Sequence, residues 1–214
     1  MTPTVFLDDQ ALQLDSLTPD ATVADLLNLA KDRLGGTGAV LVGLRRDQVD
    51  VPADELEKML RQPVSDFTGL QLLSDRPERI VLEALRQVRA AFVDTFAEIQ
   101  SATELLAVGK VTGAMQTLAV CVEVWGRTHT AIIQAGLLIS IDFDELEIGG
   151  HRIAHWLGEL AAKLRDLKAA VEARDLVLLG DILRYELDDT LQQWERMLDG
   201  FIAHVACLEK HVPA

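Results

Sequence analysis

Basic residues are scarce beside acidic ones: 20 Lys and Arg stand against 34 Asp and Glu, for a net charge of −14. That balance excludes nucleic acid and an anionic membrane surface as the main partner, since both repel an acidic chain. Apolar runs are short, none nearing the ~18 residues that a membrane span needs. The opening MTPTVFLDDQ lacks the basic flank and apolar stretch of a secretory signal, so the chain is read as soluble and cytoplasmic. Cysteine is limited to Cys121 and Cys207. Both fall within helical apolar patterns, where a reduced, buried thiol is the expected state. Serine is scarce and no Cys-His arrangement can be argued, which removes the usual nucleophilic sites. Gly35-Gly36-Thr37-Gly38 follows a helix and lacks the Lys of a phosphate loop, so it reads as a stop and turn. The Glu-x-x-His pairs of carboxylate di-iron bundles are missing too. No catalytic, cofactor-binding or metal-binding residue is assigned, and the chain is read as non-enzymatic.

Helical periodicity is abundant. From Asp175 to Leu208, Leu187, Leu191, Trp194, Leu198, Phe201, Val205 and Leu208 alternate in steps of four and three, one stripe of a helix of roughly 33 residues. Such a helix spans about 50 Å and needs other long helices beside it. Three are at hand. The first carries Val81, Leu85, Val88, Phe92, Thr95 or Phe96, Ile99 and Leu106. A second has Val111, Met115, Leu118, Val122, Trp125, His129 and Ile132, ending near Gly136. The third has Ile153, Leu157, Leu160, Leu164, Leu167 and Val171. Residues 135 to 150 break the pattern and read as an ordered connection, with Leu137, Leu138, Ile139, Ile141 and Phe143 tucked inward. The expectation is an antiparallel four-helix bundle over residues 78–210.

The first 74 residues read differently. Thr4 to Leu7 and Ala11 to Leu14 form two strands, and Thr22 caps a helix ended by Gly35-Gly36. Val40 to Leu44 and Gln48 to Val51 are strands, Asp54 to Leu60 a short helix, and Phe67 to Leu73 a last strand. The paired opening strands, the ATVADLLNLAKDRL helix and the closing FTGLQLL strand resemble the ubiquitin-like β-grasp fold. The last strand runs on into SDRPERIV instead of a free Gly-Gly tail, which points to a fused module and away from a conjugated modifier. The fold class expected is thus α+β: a small ubiquitin-like β-grasp domain (1–74), then the bundle (78–210), joined where Pro77 opens a helix.

Between residues 97 and 194, AVGKVTGAMQTLAVCVEVW, EIGGHRIAHWLGELAAKLRDLKAAVEARDLVLLGDIL and the closing Trp194 resemble the flagellin export chaperone family. That resemblance implies a bundle whose outer surface holds a helical segment of a client. Candidate partner contacts are Trp156, which flanks the stripe of its helix and reads first as core or edge packing and otherwise as a contact anchor, and Tyr185, Glu186 and Asp189 in the polar LRYELDD segment. Glu186 or Asp181 is expected to pair with Arg152 or Arg184 as a surface bridge. His151 and His155 have a spacing that could hold a metal, but the stripe turns them outward, and they read as surface histidines. Asp142 to Glu147 lacks the ligand pattern of a calcium loop. His129 falls on the expected core stripe. The function expected is a protein-interaction role toward a partner helix, with homodimerisation as the alternative.

Overall fold

Thr22 and Asp25 fix the start of the first helix reciprocally. The Asp25 carboxylate accepts from the Thr22 amide (2.9 Å) and hydroxyl (2.8 Å), while the Thr22 oxygen accepts from the Asp25 amide (3.3 Å). The box satisfies orphan donors of the first turn, and its hydrogen bonds hold the Asp25 carboxyl below the usual carboxylate range. In this computed structural model, which describes residues 4–211, the helix is α1 (Val23–Leu34). The first three residues of the expected N-terminal domain lie outside that range. The chain divides into two units between Pro77 and Glu78.

In the first unit, β1 (Thr4–Leu7), β2 (Gln10–Ala11), β3 (Val40–Arg46), β4 (Val49–Asp50) and β5 (Gly69–Asp75) form one mixed sheet in the order β2-β1-β5-β3-β4. β1 runs parallel to β5, with Val5 opposite Leu70, and the remaining pairs are antiparallel. Asp47 and Gln48 both take positive φ (50° and 67°), the conformation that lets a two-residue turn follow the twist of a hairpin. Strand β2 is shorter than the expected Ala11 to Leu14, although Leu12 and Leu14 still lean on the core. That core joins Val5, Leu44, Leu70 and Leu72 of the sheet to Val23, Leu26 and Ala30 of α1, and to Met59 of α2 (Ala53–Met59).

Helices make up the second unit: α3 (Pro77–Ala107), α4 (Val111–Leu138), α5 (Ile153–Glu172), α6 (Leu176–Asp181) and α7 (Leu187–His211). The chain as a whole is therefore α+β, mainly helical with a small sheet. One apolar core takes Leu85, Phe92 and Ile99 from α3, Leu118 and Trp125 from α4, Leu160 from α5, and Leu191, Trp194 and Phe201 from α7. Each indole N–H finds an oxygen: Trp125 donates to the Thr95 hydroxyl (2.9 Å), Trp156 to the Ile148 carbonyl (3.0 Å) and Trp194 to the Trp156 carbonyl (3.1 Å).

Two expectations for the helices are corrected. The last helix runs unbroken from Leu176 to His211, but it is not a regular α-helix throughout, because residues Ile182–Glu186 form a π turn between α6 and α7. Leu179, Leu183 and Leu187, all buried, sit four apart. In a regular α-helix such spacing drifts around the axis, and one wider turn keeps all three facing inward. The second correction concerns α4, which runs through Gly136 to Leu138, leaving Leu137 and Leu138 exposed.

The connection after α4 is held by glycines. Ile139, Ile141, Phe143, Leu146 and Ile148 rest against the core. A short hairpin, β6 (Glu147–Ile148) with β7 (His151–Arg152), turns at Gly149 and Gly150, both at positive φ. A Cβ at Gly136 would overlap the Phe143 ring, and one at Gly200 would overlap Ile148. Each glycine is a socket for one side chain of the connection.

Candidate functional site

Across its 28 residues α4 carries two charged side chains, Glu123 and Arg127. A helix with so little charge is usually covered on most sides, yet only one face of α4 meets the core. The buried set is Ala114, Leu118, Cys121, Val124, Trp125, Thr128, Ile132, Ala135 and Gly136. Beside it, in steps of four and three, runs a second stripe of Met115, Ala119, Val122, Gly126, His129, Ile133 and Leu137, apolar except at His129. Its larger members are only partly covered: Val122 is 40% exposed, Ile133 36% and Leu137 77%.

The amino-terminal half of that stripe forms one wall of a groove of about 650 Å³. Met115, Leu118, Ala119 and Val122 of α4 face Leu164, Leu167 and Val171 of α5, and Leu179 of α6 closes the end. Leu118, Leu167 and Leu179 are buried and make the floor, while Val122 and Val171 (43% exposed) stand at the edges. The polar groups are at the rim, all from α5: Arg165, Lys168 and Glu172. Lys168 and Glu172 form an exposed i,i+4 pair at 3.7 Å, and among the described residues no ion pair engages Arg165. A greasy floor with a few rim charges suits an amphipathic helix or a similarly shaped apolar ligand.

The residues expected from sequence lie elsewhere. Trp156 is 7% exposed and enclosed in the core, as its reading as a core or edge residue expects and unlike an exposed contact anchor. The hairpin β6–β7 covers it, and the Ile148 carbonyl takes its indole proton. Tyr185, on the π turn, is 67% exposed, and Asp189 is exposed on the first turn of α7. Glu186 accepts from Lys163 of α5 (2.6 Å), so its partner is neither Arg152 nor Arg184. None of the four lines the groove.

His151 and His155 are exposed, with rings stacked at 4.5 Å between centroids and set edge-on to Trp156. Among the described residues no group of three or more His, Cys, Asp or Glu side chains is placed to hold a metal ion. Asp142 accepts from the Asp144 amide (2.8 Å) within its turn. His129 is half-buried beside the core stripe, and burial lowers its pKa. Cys121 is buried, which pushes its thiol up to about 11, whereas Cys207 is exposed, contrary to expectation. Among the described residues no helix is long and apolar enough to cross a membrane.

Periodicity alone does not reveal the groove, because Val111, Met115, Val122 and His129 keep the same four-three spacing as a core stripe of α4. The available signal was the paucity of charge over the whole helix, which indicates more apolar surface than one core face can use.

The sequence profile of a domain of unknown function, DUF8042, matches residues 83–197. That span is more than half of the chain and contains the whole groove, and the chain belongs to this family. No curated protein and no solved structure matches it.

Proposed function

We propose that the protein is a non-enzymatic, cytoplasmic adaptor or export-chaperone-like protein that receives a helix of a partner protein in the groove between α4 and α5. In this reading α3, α4, α5 and the α6–α7 segment form an antiparallel four-helix bundle, and the first unit is a fused ubiquitin-like β-grasp module. The sheet order β2-β1-β5-β3-β4 around α1 supports the latter, and the single shared core of the helices supports the former.

The observation that carries the reading is the uncharged, half-covered second stripe of α4. Helix-in-groove recognition uses apolar anchors at i, i+3, i+4 and i+7, and Met115, Ala119, Val122 and Gly126, in steps of four, three and four, offer the matching surface. The test is affinity capture from cell extract with the wild-type chain and with Val122→Asp and Val171→Asp, both at exposed edges. The expected result is a specific protein retained by the wild type, lost from both variants and kept by Tyr185→Ala, with melting temperatures little changed. Retention that ignores both groove variants would overturn the reading.

A second reading, pairing of two copies through this face, is favoured by the exposed Leu176, Val177 and Leu178 of α6, the immediate neighbours of groove residue Leu179. Sedimentation across a range of concentrations distinguishes it, since only self-pairing makes the mass of the purified chain rise.

A further inference from the structure

We infer that the occupant of the groove is an amphipathic helix of about six turns bearing acidic residues beside one end of its apolar stripe; this rests on the helix-receptor reading above. Length comes first. The groove takes Met115 to Val122 of α4, roughly 11 Å at 1.5 Å per residue, and the exposed Ile133 and Leu137 carry the apolar edge of α4 on to roughly 33 Å from Met115, so a helix that covers this edge runs well past the groove.

Charge gives the direction. On α5 one flank runs, again in four-three steps, through Ala154, Gly158, Ala161, Arg165, Lys168 and Glu172. Its first half is small and uncharged, and its second half holds both cations of the groove rim. Because the amino-terminal half of α4 faces the carboxy-terminal half of α5, Arg165 and Lys168 stand beside Met115 and Val122. Further along the two helices Gly126 and Gly158 each have open space where a Cβ would be.

In a chain with 34 acidic and 20 basic residues, the overall field repels an acidic ligand. Of the three rim charges, Glu172 pairs with Lys168 and Arg165 is in no ion pair among the described residues, so the two cations leave the rim one positive charge in excess. They would meet carboxylates on the flank of the bound helix, and such complementarity governs choice of partner more than raw affinity.

The experiment uses the full chain and two labelled helical peptides of about six turns with the same Leu/Ala apolar stripe. One carries Glu and the other Lys at the flank positions near one end. By fluorescence anisotropy at low salt, the Glu peptide should bind about tenfold more tightly than the Lys peptide, and the gap should shrink as salt screens the pairs. Arg165→Glu with Lys168→Glu should invert the order, and Val122→Asp should weaken both peptides. Equal affinities, or a preference for the Lys peptide, would overturn the charge assignment and leave the helix-receptor reading standing. Binding of neither peptide, or binding indifferent to Val122→Asp, would overturn the receptor reading itself. A concentration-dependent dimer dissolved by Val122→Asp would assign the groove to a second copy and overturn both.

Discussion

Trp156 has its ring against the core, its indole N–H on the Ile148 carbonyl and its own carbonyl under the Trp194 indole. Removing the side chain loses buried area and a hydrogen bond and leaves a void. Trp156→Ala should therefore cost about 3 to 5 kcal/mol, measured by urea denaturation, and a loss below about 1 kcal/mol would refute its place in the core. Its spacing from Ile153 and Leu160 was legible, but the cover was not: the Trp156 face of α5 is buried by a hairpin that no helical period announces. His129 allows a pH test. Burial lowers its pKa from the ordinary value of 6.5, so below about pH 6.5 the unfolded chain takes up a proton that the folded chain resists. The contribution is fully present above that pH and is lost as the pH falls toward the lowered folded value. His129→Gln should lose less stability than the wild type between pH 7 and 5; parallel curves would contradict this.

At the level of elements, two helical glycines should respond in opposite ways to the same change. Gly126 has no neighbour where a Cβ would sit, whereas Gly200 holds Ile148 of the α4–α5 connection. Gly126→Ala should gain up to about 1 kcal/mol from helix propensity. Gly200→Ala should lose about 1 to 3 kcal/mol, because Ile148 and the hairpin must move. Thermal unfolding of the two variants checks both signs, and stabilisation by Gly200→Ala would refute the socket. Several elements were legible for local reasons. Thr22 and Asp25 announce the start of α1, and Pro77 opens α3, both through residues adjacent in the chain. The π turn was hidden because Leu179, Leu183 and Leu187 imitate a helical stripe, and only the packed structure reveals that a widened turn keeps them in phase. The α4 stripe was hidden for a similar reason: a helix with apolar residues on two faces offers periodicity two solutions, and tertiary contacts select one. The groove residues therefore carry no signature of their own in the sequence, whereas Tyr185, Glu186 and Asp189 stand out as a dense polar group without lining it.

For the whole molecule, a net charge of −14 favours solubility and disfavours close approach of two copies. The exception is a face without charge, and α4 presents one. The order of strands and helices was readable along the chain because each boundary carries its own turn chemistry. The groove, built by residues about fifty positions apart, required coordinates.

The measurement that tests the central claim most directly is methyl NMR of the full chain during titration with the Glu-flanked helical peptide. Shifts are expected to concentrate on Met115, Val122, Ile133, Leu164 and Val171 and to saturate together, with the methyls of the first unit unmoved. Shifts centred away from these residues, or none at saturating peptide, would contradict it.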